Sequence, residues 1–182
     1  MVMRRSREEE EFEKIRMESL KVPEEVIREL KKVRLKEEKL KIWINFAMTG
    51  MYPSYVADLF FSNTGIHIVY YSTPITLISI AMGIPRRDSL VMREVVEREG
   101  FLGALARARR YEYIRYDEIS LLEFNGKRFF VKPSIIIYLR DGAKKVFHIQ
   151  NKLFDSKQAA RLFMEMIGPI LGDRLVIKRV KM

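Results

Sequence analysis

Four arginines and three tyrosines crowd one short stretch of the chain: Arg107, Arg109, Arg110 and Arg115 interleaved with Tyr111, Tyr113 and Tyr116. A guanidinium grips phosphate or carboxylate through two parallel hydrogen bonds, and a phenol ring stacks on a nucleobase. This stretch is the best binding candidate, with Arg107, Arg109, Arg110, Arg115, Tyr111 and Tyr113 as the contact residues. Arg86 and Arg87 are candidates for the same surface. A plainer arrangement competes and is the commoner one. A helix ending in cations suits the negative end of its dipole, and a following strand buries alternate tyrosines.

Little else in the chain has the makings of catalysis. There are no cysteines, which excludes disulfides, thiol nucleophiles and cysteine zinc sites. His67 and His148 are the only histidines, and both fall in strand-like runs, so no metal site is expected. Tyr116, Asp117 and Glu118 can suggest acid–base work, but they lead straight into a strand starting at Ile119. No glycine-rich phosphate loop and no nucleophile elbow occurs. No catalytic residue, metal or cofactor is therefore expected, and the chain does not read as an enzyme.

The elements that would position these residues are legible from periodicity. Asp155–Leu171 places Ala159, Leu162, Phe163, Met166, Ile167, Ile170 and Leu171 on one helical face. Asp155 stands at the N-cap, with Gln158 three residues on. Pro169 predicts a kink or break at Gly168–Pro169. A stripe this apolar needs a partner, and almost everything from Lys41 to Asn151 reads as strand. The hairpin Tyr55–Phe61, Ser62–Gly65, Ile66–Tyr71 is the clearest β signal, with Asn63 and Gly65 tolerating the positive φ of a tight turn. Asn125-Gly126 and Asp141-Gly142 predict two more hairpins. Residues 74–110 interrupt the strands with a short apolar segment and a helix over Leu90–Arg110, opened by Asp88 or Ser89. Upstream, Pro23–Leu35 reads as a helix and residues 1–22 as a charged extension.

Several of these segments together resemble prokaryotic pleckstrin-homology-like domains. Asp58–Tyr71, DLFFSNTGIHIVYY, resembles the family's strand, Ser/Thr-Asn turn and Ile/Val strand. Tyr113–Phe124, YIRYDEISLLEF, resembles its tyrosine-acid-x-Ile strand, and Phe154–Leu171 the start of its final helix. The resemblance implies an α+β fold: a barrel of two bent antiparallel sheets capped by a C-terminal helix. On this reading the domain spans 23–182, with a helical insertion at 74–110. The loop Thr49–Ser54 has no basic residue, whereas lipid-binding eukaryotic relatives place lysines and arginines there to hold inositol phosphates.

Composition narrows the function further. The chain has 182 residues, 48% of them hydrophobic, which is one domain with a real core. No apolar run approaches the roughly 20 residues needed to span a bilayer, and no signal peptide is visible, so a soluble cytoplasmic protein is expected. The net charge is +10, and residues 51–182 carry +8 of it. The expected function is a non-catalytic interaction module that binds a protein partner or self-associates. The alternative is an anionic membrane surface or nucleic acid held through the Arg/Tyr stretch.

Overall fold

The computed structural model describes residues 38–50, 54–71, 75–127 and 130–180. The charged extension and the helix expected over 23–35 lie outside the described residues. The order of elements is β1 (Ile42–Thr49), β2 (Tyr55–Phe61), β3 (Gly65–Tyr70), α1 (Leu77–Ala81), α2 (Ile84–Ala106), β4 (Arg110–Arg115), β5 (Ile119–Asn125), β6 (Ser134–Leu139), β7 (Lys144–Ile149), α3 (Ser156–Leu162), a π turn (Phe163–Ile167), α4 (Gly168–Leu171) and β8 (Leu175–Lys178). No helix among them is long and apolar enough to cross a membrane.

The strands form one sheet in the order β4-β3-β2-β1-β7-β6-β5-β8. This corrects the expected barrel of two bent antiparallel sheets. β1 pairs along its length with β2 and through Ala47 and Met48 with Ile149 and His148 of β7, so a single ladder joins both groups of strands. β8 lies parallel to β5, which makes the sheet mixed. β4 and β8 are its two ends, and they do not pair with each other, so the sheet is open.

β1 carries the irregularity that sets the phase of the sheet. Ile44 pairs with Leu59 and Ala47 with Ala57, so Asn45 and Phe46 together face Asp58. Phe46 takes φ 54°, a left-handed conformation seldom adopted by a bulky side chain. The extra residue switches the alternation of the strand. Ile42 and Ile44 enter one core before the bulge and Ala47 after it, while Trp43, Phe46 and Met48 face the other.

Both faces of β2 and β3 are consequently covered. The C-terminal helix lays Ala159, Ala160, Phe163, Ile167 and Leu171 against Leu59, Phe61, Ile66, Ile68, Phe124 and Phe147. Burying each large side chain there contributes about 1.5–3 kcal/mol. On the opposite face α2 packs Met92, Val95, Ala104 and Leu105 against Val56, Phe60 and Val69.

The connections differ from expectation in four places, each with a local cause. The C-terminal helix does not break before Pro169: the Gly168 amide bonds to Phe163 O, a π turn that widens the helix where the proline ring would crowd it. α2 opens at Ile84 rather than Asp88, with Pro85 in its first turn and Gly83 at φ 67° ahead of it. It bends at Gly100 (φ 71°, ψ −161°) and ends at Ala106. Asn125-Gly126 is not a hairpin turn. Gly126 instead lets β8 approach: its amide bonds to Lys178 O at 2.9 Å, and a Cβ there would stand 2.8 Å from Arg179 O. Gly65 likewise serves a close approach rather than a positive φ, since a Cβ would lie 2.4 Å from Ile114 O.

Candidate functional site

The arginine–tyrosine stretch becomes the end of α2 and the edge strand β4. Alternation along a strand sends neighbours to opposite faces. Tyr111 and Tyr113 turn toward the α2 side, and Ile114 enters the main core. The Tyr111 hydroxyl lies 2.6 Å from His67 Nδ1, and His67 Nε2 lies 3.2 Å from Glu38 Oε2. The Tyr113 hydroxyl meets Thr64 Oγ1 at 2.6 Å, and Thr64 also donates to Glu38. His67 is wholly buried and packs against the rings of Phe101, Tyr111 and Tyr113. Burial opposes ionisation of Glu38, but hydrogen bonds from His67, Ser62 and Thr64 outweigh it and hold the carboxyl below its usual range. Burial raises the Tyr113 phenol above its ordinary value.

The arginines stay outside. Arg107 pairs with Glu99 at 2.6 Å, Arg115 with Asp117 at 2.8 Å, and Arg110 with Glu112 while lying 5.1 Å above the Tyr70 ring. Arg109 is exposed and its amide starts the ladder by donating to Tyr70 O. The tyrosines thus face inward and the arginines outward, so the stretch offers cations but no aromatic platform for bases. Arg86 lines a separate recess on α2.

What sequence did not reveal is the position of β4 at the sheet edge and the hollows beside it. Among the described residues β4 pairs with β3 alone. The Tyr116 amide donates to Thr64 O, which sets the phase of the ladder. In that phase Glu112 and Ile114 bond to β3, and Tyr113 and Arg115 direct their N–H and C=O groups away from it. The Arg115 amide accordingly donates to Glu118 Oε2 at 2.8 Å. Across this edge lies the β6–β7 hairpin, whose Lys145 Nζ reaches Glu112 Oε2 at 2.8 Å. On either side of that bridge is a hollow. One, about 540 Å³, is lined by Tyr113, Ile114, Arg115, Leu139 and Arg140. The other, about 550 Å³, is lined by Tyr55, Tyr70, Arg110, Lys144 and His148. The lysines and Arg140 lie too far along the chain for any local motif to connect them with β4.

A second built feature sits behind the β1 bulge. Asp58 is 1% exposed and accepts from Trp43 Nε1 at 2.9 Å, the Phe46 amide at 3.0 Å and the Tyr71 hydroxyl at 3.0 Å. Burial pushes its carboxyl up to about 6 against the pull of the three donors. An acid inside the apolar run YVADLFF was the available signal, because a buried carboxylate must find donors.

No family model matches the chain. No curated protein matches it either. Among solved structures it is similar to the C-terminal domain of an unknown protein from Leishmania infantum, at 13% identity and a TM-score of 0.44, covering 76% of this chain and 90% of that one. It is also similar to the hSac2 domain from the human phosphoinositide phosphatase Sac2, at 13% identity and a TM-score of 0.43, covering 98% and 93%. Likeness at this level transfers no activity.

Proposed function

We propose that the protein is a non-catalytic interaction module that takes an extended segment of a partner protein along the open edge of β4. The observation that carries this is the edge itself: among the described residues β4 ends the sheet, and its outer side borders two hollows instead of another strand. A strand edge offers main-chain hydrogen bonds to an incoming peptide, and flanking pockets choose its side chains. Arg110 and Arg115 stand toward the two ends of this contact, one at each hollow. The buried ionisable groups support a structural rather than catalytic role, because Asp58, His67 and Glu38 are each engaged by internal hydrogen bonds.

Panning a random peptide library against the whole protein tests this reading. Selected peptides should lose about tenfold or more in affinity for Tyr113→Pro, which removes an outward N–H and leaves the β3 ladder intact. Arg115→Glu should weaken them as well. Peptides that bind the parent and both variants alike would refute the edge site. If light scattering shows a dimer that Tyr113→Pro dissolves, the occupant is a second copy. The cations around the hollows, Arg110, Arg140, Lys144 and Lys145, favour one further reading, an anionic membrane or nucleic acid. Binding of that kind weakens steeply with added salt.

A further inference from the structure

A third hollow shares no lining residue with the two at β4. It is a recess of about 160 Å³ between the β1 bulge, the first half of α2 and the segment after β7. Its walls are largely apolar, from Phe46, Leu90 and Leu153. Leu153 is 86% exposed and Leu90 51%, more than core residues of their size tolerate without a partner. Three cations border it: Arg86, Arg93 and Lys152. Arg93 is held by Glu97 at 2.7 Å. Among the described residues Arg86 and Lys152 have no ion-pair partner. The Asn151 side chain at the rim is engaged at both ends: Asn151 Nδ2 donates to Asn45 Oδ1 at 2.9 Å, and Asn151 Oδ1 accepts from the Leu153 amide at 3.0 Å. The bulge itself is pinned from behind by Asp58.

We infer that this recess binds the carboxyl-terminal residue of a partner polypeptide, with a large apolar side chain in the hollow and the terminal carboxylate between Arg86 and Lys152. The volume suits one side chain rather than a helix or a sheet. Among the described residues the excess charge at the mouth is positive and unpaired, which selects an anion directly beside the apolar group. A chain terminus supplies both in one residue. The amides of the rim hold the 150–153 segment to β1, so the mouth is fixed before the ligand arrives.

Trp43 is the only tryptophan and its indole bonds to the same Asp58 as the Phe46 amide in the recess wall, so its emission reports on occupancy. Short peptides ending in Leu or Phe with a free carboxylate should shift that emission saturably. The same peptides with a terminal amide should bind about tenfold or more weakly. Arg86→Ala and Lys152→Ala should each reproduce that loss for the carboxylate and leave the amide unchanged. Both residues are exposed, so these variants should fold like the parent, and the unfolding midpoint checks it. Equal binding of amide and carboxylate would overturn the inference, as would indifference to both variants. So would 4-methylpentanoate binding as tightly as the peptide, which would make the ligand a free acid, or anionic vesicles shifting the emission where the peptides do not.

Discussion

The face of β2 and β3 beneath the C-terminal helix presents Ala57, Leu59, Phe61, Ile66 and Ile68, whereas the face beneath α2 presents Asp58 and His67 among Val56, Phe60 and Val69. Both faces are dry. The first is held by area and shape: Phe163 meets Phe61 edge-on at 4.9 Å and stacks on Phe124 at 5.3 Å. The second is held by shape plus a set of directed hydrogen bonds, each of which fixes an otherwise unfavourable piece of backbone or ring. Asp58 holds the left-handed Phe46, and His67 ties β3 to β4 through Tyr111. An apolar face tolerates neighbours of similar shape, whereas a polar one demands particular partners. The recess adjoins the second face through Phe46, whereas the β4 edge borders both, with Tyr113 on the α2 side and Tyr70, Ile114 and Leu139 on the other. The recess therefore lies where the backbone is most narrowly specified.

The largest effect should come from the apolar face. Phe163→Ala removes the ring at the centre of the aromatic cluster and should lower stability by about 3–5 kcal/mol in chemical denaturation. A loss below about 1 kcal/mol would mean that the C-terminal helix is not the principal cover of the sheet. On the other face the sharper probe is pH. Burial raises the Asp58 carboxyl from 3.8 to about 6, so between those values the native state holds a proton that the unfolded chain has released. Stability from this group is then fully present below pH 3.8 and lost as pH rises through 6. The shift of 2.2 corresponds to about 3 kcal/mol. Asp58→Asn cannot titrate, so the difference between parent and variant should swing by about that amount from pH 4 to pH 7.5, the parent faring relatively better in acid. Parallel stability curves would show that the carboxyl is not desolvated.

The contrast between the faces also explains what the sequence disclosed. Phe163, Ile167 and Leu171 could be assigned to a core because helical periodicity and apolar type agree. Tyr55–Tyr71 could be paired because its turn is short. The phase switch at Phe46 was invisible, since a bulge of ordinary residues leaves no mark until Asp58 is seen to face it. Parallel pairing of Leu175–Lys178 with β5 was hidden for a similar reason: Gly126 announces a turn but here makes room for a neighbouring backbone. The arginine–tyrosine stretch was legible as a set of residues, and the plainer of its two arrangements, cations at a helix end followed by inward tyrosines, is the one the backbone adopts. Arg107, Arg109, Arg110 and Arg115 face outward, Tyr111 inward, and the cations opposite them come from the β6–β7 hairpin thirty residues further along.

The smallest effects should separate two tyrosines on the same strand. Tyr111 is 2% exposed and its hydroxyl lies against a histidine with no access to solvent. Tyr111→Phe leaves His67 Nδ1 buried without that bond, which should reduce stability by about 1–3 kcal/mol. Tyr113 is half-buried, and its hydroxyl shares Thr64 Oγ1 with other polar atoms of the cluster. Tyr113→Phe leaves Thr64 satisfied by Glu38 and Ser62, so the loss should stay near or below about 0.5–1 kcal/mol. Equilibrium denaturation of the two variants measures both. If they are equally destabilised, the polar network is one cooperative unit extending to the β4 edge, and that edge is as rigid as the interior. If Tyr113→Phe is the milder, rigidity declines from His67 outward, which leaves the edge able to adjust to an incoming strand.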